Sequence, residues 1–288
     1  MTKEQDSIFE LKGATIFKRI LNRQLRAFLS YARKNGIENA INQIDTVVKV
    51  EQLKAEYVAF YARVGMFVIP NTINEIKTLV NKRETPASIG VGFISETWRK
   101  FVSNYANSLL ITQRITKVND TTKSNIRTVM SNALKDGEGS ASIALRISKE
   151  KLSVINEARA VLIARTELTH ITSVASHFGA EQSESITGVS LEKGWSTRID
   201  GRERPEHQSA NNQFVKMNES FTVGGVKMKY PGDPNGGAEN VCNCRCTQIF
   251  RPSKRVELPN TDNTSVNNAF SDLLAGIAVA IVRGGGDN

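Results

Sequence analysis

Apolar residues recur every three or four positions through most of the first 187 residues, which is the spacing of amphipathic helices. The pattern is clearest at Ile126, Val129, Met130 and Ala133, whose i, i+3, i+4 and i+7 positions lie on one face of a helix. Pro70 predicts a helix end, because proline lacks the backbone N–H that a helix interior needs. Helices are therefore predicted over residues 14–34, 39–68 (one helix or two), 72–83, 93–110, 120–134, a short stretch after Ser140, and 154–182.

The periodicity changes after Gly188. Residues 189–198 alternate loosely around Trp195, as a strand does, and residues 241–250 predict a further short strand or turn. Residues 214–230 alternate on both sides of Gly224-Gly225, which is typical of a β-hairpin. The predicted fold class is α+β, with a mostly helical N-terminal body followed by a small β-rich C-terminal module.

Composition divides the chain into four predicted parts: a helical region over residues 1–92, a second helical part over 93–187, a β-rich part over 188–250 and a flexible tail over 251–288. A break with proline and glycines at 84–92 ends the first part. The tail holds an apolar segment at 269–282, which is shorter than the roughly 20 residues that a helix needs to cross a bilayer. This segment predicts either a terminal helix that packs on the body or a peptide that docks into a partner or touches a membrane.

The net charge of +9 and the pI near 9.5 imply an anionic partner, which is nucleic acid, an acidic protein surface or anionic lipid. Four arginines share one face of the first predicted helix and form either a solvated face or a basic stripe that contacts DNA or an acidic partner: Arg19, Arg23, Arg26 and Arg33. The polar N-terminus shows no apolar core of a secretory signal. Because three cysteines at alternate positions cannot form a disulfide framework, an intracellular, reducing setting is expected.

The three cysteines fall at alternate positions, Cys242, Cys244 and Cys246, and His207 precedes them. These four side chains are candidate ligands of Zn²⁺, which binds four nitrogen or sulfur atoms in a tetrahedron. Alternate side chains on a strand are about 6–7 Å apart, so a zinc site requires a turn at the cysteines. Buried thiols in a small core and a redox-active set are the competing hypotheses.

An acid, two guanidiniums and an imidazole lie close together at Asp200, Arg202, Arg204 and His207. Asp200 is expected either to pair with an arginine or to orient His207. This set also permits an alternative function, a phosphodiester hydrolase with His207 as base and Arg202 or Arg204 on the phosphate. Glu167 and His170 form one Glu-x-x-His pair, whereas a carboxylate-bridged metal site needs two, so a hydrogen-bonded or surface histidine is expected.

The order of these motifs resembles the phage Mu protein F-like family, the minor head or head morphogenesis proteins of tailed phages. The resemblance covers about residues 120–250. The residues that carry the resemblance are Ile163 to Glu167, Trp195, Asp200, Arg202, Arg204, His207, Phe221, Pro231 to Pro234 (which includes Asp233), and Asn243 to Cys246. Cys242 is an addition to the usual pattern, and the glycine expected shortly after the histidine is absent from residues 208–213.

The resemblance implies a protein encoded beside the portal and present in few copies inside the procapsid near the portal vertex. It implies a role in head assembly, contact with packaged DNA or help with its ejection, and no enzymatic activity. The implied partners are portal and capsid or scaffolding proteins, and the implied location is the host cytoplasm during assembly and then the interior of the virion head. The implied motif positions of structural importance are Arg165, Glu167, Trp195, Asp200, Arg202, Arg204 and Asp233.

Overall fold

The computed structural model describes residues 3–80, 96–136 and 141–253, and its architecture confirms the α+β fold class. The described residues form nine α-helices: α1 (Lys3–Asn35), α2 (Ile37–Asn42), α3 (Ile44–Val47), α4 (Val50–Val80), α5 (Glu96–Ala106), α6 (Leu109–Lys135), α7 (Ala141–Thr187), α8 (Pro205–Ser209) and α9 (Gly237–Val241). They also form five strands: β1 (Leu191–Ser196), β2 (Phe214–Lys216), β3 (Phe221–Val223), β4 (Val226–Met228) and β5 (Thr247–Pro252). The predicted break at 84–92 and the apolar segment at 269–282 lie outside the described residues. Within the described residues, each helix is either too short or too polar to cross a membrane.

The predicted helix end at Pro70 is wrong, because α4 continues through this proline to Val80. A proline inside a helix costs about 3 kcal/mol through its lost hydrogen bond and its ring contact with the preceding turn. The flanking side chains of Val68, Ile69 and Ile73 are buried, and each contributes about 1.5–3 kcal/mol. Burial on both sides of the proline therefore outweighs the local penalty.

The predicted short helix after Ser140 and the predicted helix over 154–182 form one continuous helix, α7. The sequence between residues 141 and 178 contains neither glycine nor proline, so nothing in it favours a break. Gly179 lies inside α7 at a close approach, where an added Cβ would lie 3.3 Å from the carbonyl oxygen of Ile69.

The chain divides into two compact units, and the predicted boundaries at 92, 187 and 250 stay predictions. The helical unit comprises residues 3–60 and 103–165, and the motif unit comprises residues 61–102 and 166–253 within the described part. In the helical unit, the ring of Phe17 packs edge-on against Tyr57 and Phe60. Buried Gln24 donates a 2.8 Å hydrogen bond to Asn119, so this core also contains a paired polar contact.

In the motif unit, β1 is the centre of a three-stranded antiparallel sheet with the order β2-β1-β5. β3 and β4 form the predicted hairpin, in which Gly224 and Gly225 have φ of 55° and 80°. Two successive positive φ values fit the tight turn that joins twisted strands, and glycine adopts them without strain. The hairpin is shorter than predicted, because Phe214–Lys216 pairs with β1 instead.

Candidate metal centre

A buried aromatic residue on β1 lies at the centre of the core that surrounds the candidate site. Trp195 is fully buried, and its ring contacts Phe221 and His207 edge-on at centroid distances of 5.4 and 5.5 Å. Its carbonyl accepts the N–H of Asn212 at 2.8 Å. Asn212 has φ of 62°, a conformation that asparagine tolerates better than most residues. Asparagine therefore takes the left-handed position in the turn after His207, where the family pattern led us to expect a glycine.

His207 lies on the short helix α8 and is 2% exposed. The hydroxyl of Thr197, just beyond β1, donates a 2.5 Å hydrogen bond to the carbonyl of His207. The backbone N–H of Thr197 donates to the side chain of Asn211 at 2.9 Å. These contacts fix α8 against the end of β1 and turn the imidazole inward.

The loop that carries the cysteines is held by two threonines of α7. The hydroxyl of Thr166 accepts the N–H of Asn243 at 2.9 Å, and the hydroxyl of Thr169 donates to the carbonyl of Cys244 at 2.5 Å. Asn243 has φ of 60°, so the chain turns sharply between Cys242 and Cys244. This turn replaces the extended spacing that would separate alternate side chains.

Three of the four predicted metal ligands come together. Nδ1 of His207 lies 3.6 Å from Sγ of Cys244 and 3.4 Å from Sγ of Cys246, and the three atoms all lie within 4.8 Å of one another. Both sulfurs are buried. The structure does not bring Cys242 into this group, because Cys242 ends α9 before the turn at Asn243 and is exposed.

The two buried cysteines have opposite pKa shifts. A hydrogen bond from the Cys244 thiol lowers the pKa of Cys246 to about 5, against the opposing effect of burial, and His207 lowers it further. The same hydrogen bond, together with burial, raises the pKa of Cys244 well above its ordinary value. The environment therefore favours ionisation of Cys246 over that of Cys244.

Asp200 contacts three arginines rather than the histidine. Its carboxylate forms a two-bond pair with Arg245, accepts a 3.0 Å hydrogen bond from Arg202 and lies 3.6 Å from Nε of Arg198. Loss of hydration raises the pKa of Asp200, but the hydrogen bonds from Arg245 and Arg202 outweigh it and lower the pKa to about 2. The expectation that Asp200 pairs with an arginine is confirmed. The alternative that it orients His207 is wrong, since Nδ1 of His207 faces the cysteines and its Nε2 has no hydrogen-bond partner in the described part of the chain.

The remaining motif residues each make internal contacts. Arg165 forms a two-bond pair with Glu10 in the helical unit. In the motif unit, buried Glu167 accepts a 2.5 Å hydrogen bond from the hydroxyl of Tyr61, and Arg204 donates to the carbonyl of Cys242 at 2.6 Å. Buried Asp233 accepts the N–H groups of Lys229 and Asn235 at 2.6 and 3.0 Å.

His170 is the hydrogen-bonded histidine that the sequence predicts. It is fully buried, and its Nδ1 lies 2.8 Å from the carbonyl oxygen of Gly232. The ring also contacts Tyr61 and Tyr230 at centroid distances of 5.9 and 6.0 Å. Glu167 and His170 therefore each have a partner in the fold of the motif unit.

The four arginines of α1 are exposed, as an amphipathic helix predicts. Two of them lie near one carboxylate, since Arg19 donates to Glu56 at 3.1 Å and Arg23 lies 3.9 Å from it. The other two arginines of the set, Arg26 and Arg33, are exposed and do not lie beside Glu56. The basic stripe is thus partly neutralised at one end.

Sequence reasoning missed the contributions of Thr169, Thr197, Asn212 and Arg245. The left-handed turns at Asn212 and Asn243 could have been suspected from the sequence, because asparagine adopts this conformation more readily than other non-glycine residues. The threonine contacts had no such signal, because they join residues that are 10 and 75 positions apart.

The left-handed turn at Asn243 yields a prediction about stability. Asn243→Val should lower the free energy of unfolding by about 1–2 kcal/mol, since a β-branched residue is strained at positive φ. Asn243→Gly should change it by less than about 0.5 kcal/mol. The measurement is urea unfolding followed by circular dichroism. Asn218→Val, at an exposed turn position without positive φ, is the matched control, and equal losses in both valine variants would contradict the prediction.

The low pKa of Asp200 yields a prediction about pH. Because the pKa of the folded state, about 2, lies below the ordinary value of 3.8, the carboxylate stabilises the fold above about pH 4 and loses this effect as the pH falls towards 2. Asp200→Asn should therefore lower Tm at pH 7, and the difference from the wild type should shrink between pH 4 and pH 2. Thermal melts across this range test the prediction. A difference that stays constant down to pH 2 would show that the charge of Asp200 is not the cause.

Residues 124–249 match the family model described as Phage Mu protein F like protein. The matched segment contains Trp195, Asp200, His207, Cys244 and Cys246, the residues that form or surround the candidate centre. No solved structure matches the chain significantly.

Two curated relatives match parts of the chain. The minor head protein GP7 of Bacillus phage SPP1 is 34% identical over 140 residues, which cover 48% of this chain and 42% of that protein. The NAD(+)--arginine ADP-ribosyltransferase EFV of Enterococcus faecalis (strain ATCC 700802 / V583) is 27% identical over 215 residues, which cover 73% of this chain and 41% of that protein. The chain thus spans about two fifths of the length of these relatives. Residues 124–249 are therefore similar to the phage Mu protein F-like family, and part of the chain is similar to a phage minor head protein.

Proposed function

We propose that this chain is a minor head protein of a tailed phage that acts in head assembly near the portal. The observation that carries the proposal is the match of residues 124–249 to the family, together with the similarity to a phage minor head protein. The expected partners are portal and capsid or scaffolding proteins. The expected location is the host cytoplasm during assembly and the interior of the head afterwards.

The contacts of the motif residues support a structural role for them. Arg202 is paired with Asp200, and Arg204 donates to the backbone of the cysteine loop. His207 directs Nδ1 at two sulfurs, and its Nε2 is buried. A general base must reach the proton that it abstracts, directly or through one water molecule. The alternative of a phosphodiester hydrolase, with His207 as base, is therefore not favoured by this geometry.

The similarity to an ADP-ribosyltransferase fits the same proposal. More than half of that relative lies outside the match, which covers 41% of its length. The two matched relatives cover 73% and 48% of this chain, so their matches overlap. We infer that the shared portion is the head-protein module, and that the activity in the name of that relative does not extend to this chain.

The direct test is the location of the protein in phage particles. A phage that encodes the chain is grown, its particles are purified, and the protein is quantified against the major capsid protein by mass spectrometry. The expected result is a few copies per particle, protected from added protease until the head is opened. A protein that is absent from particles, or digested on intact heads, would contradict the proposal.

Contact with double-stranded DNA is a second part of the proposal and would use the arginines of α1. Arg26→Gln combined with Arg33→Gln should weaken DNA binding and reduce the slope of log affinity against log salt by up to about 2, one for each lost phosphate contact. Filter binding over a salt series measures both quantities.

The control is Arg63→Gln combined with Arg99→Gln, which removes two exposed arginines outside α1 and changes the net charge by the same amount. This control pair should leave the salt slope unchanged if α1 is the contact surface. If both pairs weaken binding equally, the overall positive charge is responsible and the α1 surface is not a specific DNA contact.

A further inference from the structure

Nδ1 of His207 and the sulfurs of Cys244 and Cys246 lie close enough together to be ligands of one tetrahedral zinc ion. Zinc binds nitrogen at about 2.0–2.1 Å and sulfur at about 2.3 Å, so a nitrogen and a sulfur on one ion are roughly 3.5–3.6 Å apart. The corresponding distances from Nδ1 of His207 are 3.6 Å to Cys244 and 3.4 Å to Cys246. The two nitrogen–sulfur distances therefore match those of a zinc coordination shell, and the two sulfurs lie within 4.8 Å of each other.

The hydrogen bonds to Cys246 leave the contact between Nδ1 of His207 and Sγ of Cys244 without a clear role. One imidazole nitrogen is either a donor or an acceptor, yet Nδ1 of His207 has a sulfur at hydrogen-bond distance on two sides. The histidine is 2% exposed, and both sulfurs are buried, so these atoms are largely shielded from bulk solvent. A cation between the three atoms would give all of them one shared partner.

The chemistry of the donor set selects the metal. Two sulfurs and one imidazole suit zinc, whereas magnesium and calcium prefer oxygen, and iron–sulfur clusters generally use four cysteines. The N–H of Cys246 donates to Sγ of Cys244 at 3.5 Å, a contact that supports negative charge on that sulfur.

A small cavity lies beside the sulfurs and has room for a fourth ligand. This cavity has a volume of about 20 Å³, and its lining includes Thr197, Arg204 and the three ligand residues. Such a volume is sufficient for one water molecule. The cysteine nearest in sequence, Cys242, is exposed and stands apart from the ligand group.

We infer that His207 Nδ1, Cys244 Sγ and Cys246 Sγ bind one Zn²⁺ ion, and that a water molecule in this cavity, not Cys242, is the fourth ligand. The ion joins α8 to the loop before β5, two segments that are 37 residues apart at His207 and Cys244. It thereby closes the core around Trp195 and stabilises the motif unit. This inference does not depend on the proposed function in phage heads.

The test is metal analysis of the full chain, purified without a polyhistidine tag. The wild type should contain about one zinc per chain, and chelation should lower its Tm by at least about 5 °C in a manner that added zinc reverses. Cys244→Ser and Cys246→Ser should each lose the metal, and chelation should no longer change their Tm. Circular dichroism at low temperature shows whether these variants retain their helices.

Cys242→Ser is the matched control, since it removes a thiol from the same loop and should keep one zinc per chain. Substitution of zinc by cobalt gives a second readout. The thiolate-to-cobalt charge-transfer absorption should be the same in the wild type and in Cys242→Ser. It also keeps the inference testable if the other two variants fail to fold.

Two results would overturn the inference. Wild-type protein that holds no zinc after dialysis against it, and whose Tm does not respond to chelation, would exclude the metal and leave a hydrogen-bonded thiol pair. Loss of zinc or of the cobalt absorption in Cys242→Ser would exclude water as the fourth ligand.

Discussion

Two threonine hydroxyls on α7 provide the contacts on which the candidate centre depends. Thr166 accepts the N–H of Asn243, and Thr169 donates to the carbonyl of Cys244. A buried backbone group that lacks a partner costs about 1–3 kcal/mol, so these two bonds favour one path of the loop over the helix. That path includes the left-handed turn at Asn243, and the turn places Cys244 and Cys246 on the side of His207. Helix α7 thus fixes the positions of the sulfurs, although it contributes no ligand itself.

The parts of the fold that the sequence predicts are those with a local cause. Helical periodicity predicts the long helices, and Gly224-Gly225 predicts the hairpin, because each pattern acts within a few residues. The helix end at Pro70 fails because its local penalty competes with burial of Val68, Ile69 and Ile73, which only the tertiary structure reveals. At this position the packing of the helix contributes more free energy than the local propensity of proline removes.

The candidate site shows the same limit. The spacing of the cysteines and the histidine predicts a ligand group, but it does not distinguish Cys242 from Cys244 and Cys246. That distinction depends on one residue, Asn243, whose positive φ separates the exposed cysteine from the buried pair. Similarly, four basic or acidic residues near Asp200 suggest pairing, but the strongest partner, Arg245, comes from 45 positions away. Contacts of this range cannot be assigned from one sequence.

The packing of the motif residues bears on how one module can occur in relatives with different names. Asp200, Glu167 and Asp233 each satisfy groups of the protein itself, and the cavity beside the cysteines has room for one water molecule rather than a substrate. Residues that maintain a fold constrain sequence without specifying a reaction. The presence of this motif therefore does not by itself assign an enzymatic activity to this chain, because its residues maintain the fold.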